Sequence, residues 1–170
     1  TDGQIFLQSE LFYKGIRPAI NAGISVSRVG SSAQIKAMKQ VAGTLKLDLA
    51  QYRELEAFSK FSSDLDANTQ KILSHGARLT EFLKQPQNSP LSIEDQVVSI
   101  FIAINGFLDK LELFHIKDFQ DSVLNALHLD YPELFNEIKV QKKLSDSSIE
   151  KLKEFVGNYV DVFLAHSKIH

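Results

Sequence analysis

ISVSRVGSSAQIKAMKQVA, residues 24–42, contains the boundary on which the fold turns. Its first half alternates. Ile24, Val26 and Arg28 fall in one phase of a strand, so Arg28 follows two side chains of the buried type on the same face. Its second half steps by three and four through Ile35, Met38 and Ala42, the spacing of a helix with one apolar stripe. Between the halves, Gly30, Ser31 and Ser32 stop the strand. The chain therefore changes character near residue 34, from strands and turns to helices.

On the N-terminal side of this boundary, Gln4 to Leu7 is a short strand candidate, Gly15 punctuates, and the chain turns at Pro18. If the strand leading to Arg28 belongs to a mostly parallel sheet, Arg28 stands at the edge where ligands sit in open α/β folds. On the C-terminal side, the apolar spacing continues through Leu45, Leu49 and Tyr52 in one long helix that Gly43 can interrupt. Asp64 or Asp66 can cap a second helix, with Ile72, Leu79 and Phe82 on its apolar side and an interruption at Gly76. Pro90 and Ser92 open a third through Val97, Phe101, Ile104 and Leu108, with Glu94 and Asp95 in its first turn, where the helix dipole favours them. A fourth helix runs from about Ile116 to Leu129 and stops before Pro132, and a short one spans Pro132–Val140. Ser145 and Ser148 precede the last helix, which carries Ile149, Leu152, Val156, Tyr159 and Phe163 on one face. The fold class expected is mostly α: a C-terminal helical bundle over residues 34–170, preceded in residues 1–33 by the last strands of an α/β nucleotide-binding domain.

Composition narrows the classes of function. The 170 residues are 44% hydrophobic and 24% charged, the balance of a folded domain. A formal net charge of -2 gives no basic field to attract nucleic acid, which is not expected as a partner. The absence of cysteine excludes a disulfide framework, a thiolate nucleophile and a Cys-containing zinc site. The longest apolar run, around Val97 to Ile104, is too short to span a membrane. The first residues do not read as a signal peptide. Because the chain starts Thr1-Asp-Gly with no methionine, a fragment or a processed product is expected.

Few constellations carry chemistry. There is neither GxxxxGK[ST] nor GxGxxG, so these residues alone cradle no nucleotide phosphate in either familiar way. His166 and His170 share a helix face but lack a third ligand, and no metal site is expected. His75, His115 and His128 are scattered. Asp64 and Asp66 read as helix-capping groups rather than paired catalytic carboxylates. Ser25 and Ser27 have no base nearby. Taken on its own, an arginine such as Arg28 is ordinarily a salt-bridged or exposed residue at a strand end.

A resemblance changes the weight given to Arg28. The segments TDGQIFL, LFYKGIRPAINAGISVSRVGS, MKQVAG, LKLDLAQYREL, SDLDANTQ and GARLTEFLKQPQ, in this order and at this spacing, resemble the C-terminal third of the alpha subunit of the F-type rotary ATP synthase. The match is specific up to about Gly106–Asp109; beyond that only the helical pattern agrees. The related beta subunit carries an acidic DELSEED-type segment where this chain reads SSDLDA, residues 62–67, which favours alpha.

The resemblance implies a ring of alternating alpha and beta subunits around a rotating central shaft, the gamma subunit. It gives Arg28 the role of an arginine lent in trans to the catalytic ATP site on a neighbouring beta subunit, where a planar fork of donors serves phosphoryl transfer. It also implies that Phe12, Arg17, Pro18, Gln85 and Gln87 close the adenine end of a non-catalytic nucleotide site. There, aromatic and proline faces meet a base and amides meet its edge. Gln85 precedes Pro86, is pushed toward an extended conformation, and so can point the same way as Gln87. The cofactor expected is ATP or ADP with Mg2+, whose ligands lie outside this chain. The expected partners are beta and gamma subunits and the remainder of the alpha subunit, with the membrane met only through the complex. The expected place is the matrix face of the mitochondrial inner membrane, or a bacterial or plastid energy-transducing membrane. Two other readings stand beside this one: a helical interaction module without a role in chemistry, and a related hexameric ATPase of secretion or vacuolar type.

Overall fold

The computed structural model of the protein describes residues 2–59 and 65–167. Strand β1 (Gly3–Gln4) pairs antiparallel with β2 (Val26–Ser27), with Gly3 opposite Ser27 and Gln4 opposite Val26. An isolated antiparallel bridge, Leu7 to Ile20, continues the pairing, with the Gln8 amide donating to the Ala19 carbonyl at 2.9 Å. At Gly3 the strands approach so closely that a Cβ would lie 1.9 Å from the Val26 carbonyl oxygen, so only glycine fits. Between the strands lies a helix absent from the sequence reading, α1 (Ser9–Tyr13).

The mostly parallel sheet considered as a setting for Arg28 is not what this segment forms. Among the described residues the pairing is antiparallel and two residues long. Ile24 and Val26, read as buried-type, are 50% and 56% exposed, because among the described residues no second layer covers them. A 3-10 turn over Gly30–Ala33 then leads into the bundle.

Helices α2 (Lys36–Ala42) and α3 (Leu45–Ser59) are two elements rather than one, separated at Gly43 and Thr44. Helix α4 (Ala67–Phe82) is capped by Asp66, whose carboxylate accepts from the amides of Asn68 (2.9 Å) and Thr69 (3.0 Å). Asp64, the other cap considered, lies outside the described residues. The interruption expected at Gly76 does not occur. Gly76 is buried inside a continuous α4, where its missing side chain lets Tyr52 of α3 pack against the helix.

Helix α5 (Ile93–Ile104) begins at Ser92, whose hydroxyl accepts from the Asp95 amide at 3.1 Å. It ends four residues before Leu108: Asn105 caps it and Gly106 adopts a left-handed φ of 76°. Helices α6 (Ile116–Asp130), α7 (Pro132–Gln141) and α8 (Asp146–Ser167) follow, with Pro132 opening α7 and Lys142 closing it in the left-handed region.

One apolar core joins these helices. Val97, Val98 and Ile102 of α5 are wholly buried with Leu79 of α4, Phe119 of α6 and Ile138 of α7. Leu152 and Val156 of α8 belong to the same cluster. The C-terminal helices, for which the sequence showed only a general pattern, are thus structural members of the bundle. Lining up Ile149, Leu152, Val156, Tyr159 and Phe163 along α8 is what puts them there.

Candidate functional site

Helix α1 ends in a way that shapes a cleft. Gly15, at a φ of 76°, donates to the Phe12 carbonyl at 3.0 Å, and Ile16 donates back to the Leu11 carbonyl at 2.9 Å. These paired bonds reverse the chain as a Schellman turn does. Leu11 goes inward and is buried; Phe12 faces out. The reversal brings Arg17 back over the Phe12 ring, its guanidinium carbon 4.2 Å from the ring centroid.

The opposite wall comes from the end of α4. Phe82 is anchored in the core, and beyond it the Gln85 amide donates to the Arg17 carbonyl at 2.8 Å, tying the loop to the α1 turn. The result is an open cleft of about 880 Å³. Its lining includes all five residues for which the resemblance implies a place at an adenine end: Phe12, Arg17, Pro18, Gln85 and Gln87. Both glutamines are exposed. The lining also includes Lys84 and Lys117, which the sequence reading did not single out. Lys84 pairs with Glu81 at 2.5 Å and Lys117 with Asp121 at 2.6 Å. No local motif marks Lys117; it arrives through the packing of α6 on α4.

Arg28 does not line this cleft. It follows β2 directly, its amide donating to the Asp2 carbonyl at 2.7 Å. Its guanidinium meets the Asp2 carboxylate at 2.5 Å, with side-chain exposures of 84% and 60%. Gly30, in the left-handed region, donates to the Ser27 hydroxyl at 3.0 Å and turns the chain away, leaving the arginine projecting from the strand end.

The histidines are held separately. His75 meets Asp109 at 2.9 Å, and His128 meets Asp95 at 2.7 Å while stacking on Phe135. His166 bonds its own helix at the Val162 carbonyl, and His170 lies outside the described residues. Among the described residues, no group of three or more His, Asp or Glu is gathered to hold a metal ion. No described helix is long and apolar enough to cross a membrane.

The class defined by this geometry is a helical bundle that carries a strand-and-turn segment and an open cleft between the two. The chain matches the family model of the ATP synthase alpha/beta chain, C terminal domain, over residues 34–159, and it belongs to that family. It is 53% identical over 167 residues to the ATP synthase subunit alpha of Rickettsia canadensis (strain McKiel), a match that covers 98% of this chain and 33% of that protein. The chain thus spans about a third of the length of the curated relative it matches.

Proposed function

We propose that the chain serves as the C-terminal part of an alpha subunit in the catalytic head of a rotary ATP synthase. In that head, Arg28 is lent in trans to the ATP site of a neighbouring beta subunit, and the cleft closes the adenine end of a non-catalytic site. Identity to an alpha subunit over nearly the whole chain supports the subunit assignment. The observation that carries the nucleotide site is the convergence of Phe12, Arg17, Pro18, Gln85 and Gln87, which come from two parts of the sequence, on one cleft.

The donor set suits a purine base. An aromatic ring and a proline offer apolar faces, and two exposed primary amides offer both donors and acceptors to an edge. ATP or ADP is the ligand of this reading; its Mg2+ supplies charge neutralisation at the phosphates when bound, with ligands from outside this chain. Arg17 and Lys117 add positive charge to the walls, while Lys84 is offset by Glu81, which lines the cleft beside it.

Arg28 suits its role through exposure. An ion pair as open to water as Arg28 with Asp2 contributes about 1 kcal/mol or less, so an anionic phosphate can compete for the guanidinium. Because the arginine comes from one subunit and the phosphates from another, its engagement depends on how closely the two subunits meet. The partners of this reading are beta subunits, the gamma shaft and the remainder of the alpha subunit. The complex would sit on an energy-transducing membrane, touched by this chain only indirectly. A bacterial membrane agrees with the source of the relative; the matrix face of the mitochondrial inner membrane is the organellar counterpart.

The test is Arg28→Lys in the assembled complex, which keeps charge but removes the bidentate fork. Arginine fingers elsewhere contribute about 10³–10⁵ in rate, and a loss of at least about a hundredfold in steady-state ATP turnover is expected with assembly intact. Unchanged turnover would leave the chain as a helical interaction module.

A further inference from the structure

Among the described residues, segment 2–33 meets the bundle through few polar contacts, and the side-chain contact that is partly buried is made by an arginine halfway along α3. The Arg53 guanidinium donates through one nitrogen to the Asn21 side-chain oxygen and through another to the Ile20 carbonyl at 3.3 Å. Lys46 to the Ser25 carbonyl (3.1 Å), Lys14 to Glu56 (3.5 Å) and the Gln85 amide to the Arg17 carbonyl (2.8 Å) also cross the boundary, the first two exposed and the third between exposed residues.

Asn21 is the hub of the turn that precedes β2. Its side-chain oxygen also accepts from the Gly23 amide at 3.0 Å, and its side-chain nitrogen donates to the Gln8 side chain at 3.0 Å. Its carbonyl accepts from the Ser25 amide (3.1 Å) and hydroxyl (2.6 Å). The Ser25 hydroxyl in turn accepts from the Phe6 amide at 3.0 Å, just beyond β1. The pairing of β1 with β2 follows, and then the Arg28 amide on the Asp2 carbonyl at 2.7 Å. A series of hydrogen bonds, joined by the backbone of residues 2–6, thus runs from α3 to the backbone of Arg28.

We propose that Arg53 is a positioning residue for Arg28, setting its place relative to the helical bundle through Asn21 and the turn of residues 20–25. This rests on the reading of Arg28 as an arginine that works in trans. A displacement of about 1 Å in a group serving chemistry can cost about a hundredfold in rate, so a link to a rigid helix has value that its own hydrogen bonds do not measure. The planar fork reaches two acceptors at fixed spacing, which a lysine ammonium on a flexible stem cannot reproduce.

The experiment compares steady-state ATP hydrolysis by the assembled complex carrying Arg53→Gln, Asn21→Ala, the pair together, Arg53→Lys, or Arg28→Lys. Each of the first two is expected to lower kcat by about tenfold or more, with KM for ATP within about twofold, since the displaced group serves the reaction rather than binding. The pair should fall no further than the worse single variant, because both remove one link. Arg53→Lys should recover part of the loss. Wild-type kcat in an assembled Arg53→Gln or Asn21→Ala complex overturns the proposal. So do losses that multiply in the pair, or failure of both variants to assemble, which would make the contact structural. Arg28→Lys separates the two readings: a loss there with full activity at Arg53→Gln refutes only this inference, whereas full activity at Arg28→Lys refutes the reading beneath it.

Discussion

Gly76 shows how one residue type can carry opposite meanings. In the sequence it reads as a break in a helix, because glycine in a helix interior costs about 1 kcal/mol against alanine. In the structure it is a contact: a Cβ at this position would lie 2.3 Å from Cγ of Tyr52 and 2.4 Å from its Cβ. Those atoms sit close to the α3 backbone and cannot swing aside like the end of a flexible chain. Gly76→Ala is therefore expected to destabilise the fold by about 1–2 kcal/mol net of the helix-propensity gain, read as a lower denaturant midpoint. An unchanged or higher midpoint would refute the close approach. Arg28 is the reverse case. Its residue type and place at a strand end were legible, and so was its ordinary fate as a salt-bridged, exposed side chain, but the aspartate that meets it lies 26 residues away in sequence.

Helix starts were easier to read than helix ends. Asp66 and Ser92 cap α4 and α5 through side-chain acceptors, a local chemistry that spacing alone reveals. The end of α5 at Ile104 depended on Gly106 taking a left-handed turn, while the apolar period ran on to Leu108, which enters the core from the loop instead.

The start of α8 adds a contact that spacing does not show. Glu137 of α7 accepts from the Ser145 amide at 2.7 Å and from the Ser148 hydroxyl. Burial pushes its pKa up, but the bonds from Ser148 and Ser145, with Lys143 nearby, outweigh burial and hold it below the ordinary glutamate range. A carboxyl whose folded pKa is lowered stabilises fully above its unfolded value of about 4.3 and loses that contribution as pH falls through the folded value. Wild type should accordingly exceed Glu137→Gln in stability near neutral pH by on the order of 1 kcal/mol, a figure kept small because solvent screens the site. The gap should narrow as pH drops below about 4. Thermal melts of both proteins across this range check it; a gap that stays constant to pH 3 would show that the bonds do not favour the ionised form.

For the whole molecule, the unevenness of burial is the main finding. The helices share a continuous buried core and leave only scattered apolar side chains such as Leu47, Phe114 and Leu129 exposed, whereas the short strand segment crowds Ile5, Phe6, Leu7, Ile24 and Val26 onto its surface. Sequence reasoning expects Phe6, Ile20 and Ile24 to be uncovered in the isolated chain. Phe6 and Ile24 are 42% and 50% exposed, while Ile20 is half-buried at its bridge to Leu7. Apolar side chains beside an unpaired strand edge invite association. The isolated chain is expected to self-associate in sedimentation velocity, and Phe6→Ser with Ile24→Thr to shift it toward monomer; a monodisperse wild-type monomer would count against this. By itself, the sequence determined the order of the helices and most of their N-termini, because periodicity and caps are local properties of a chain, whereas the five cleft residues were named only through the resemblance to a family. The antiparallel pairing, the Tyr52 contact at Gly76, Lys117 in the cleft wall and the bond network from Arg53 were decided only by tertiary structure. Each depends on residues far apart in sequence meeting at distances that packing sets and no spacing rule encodes.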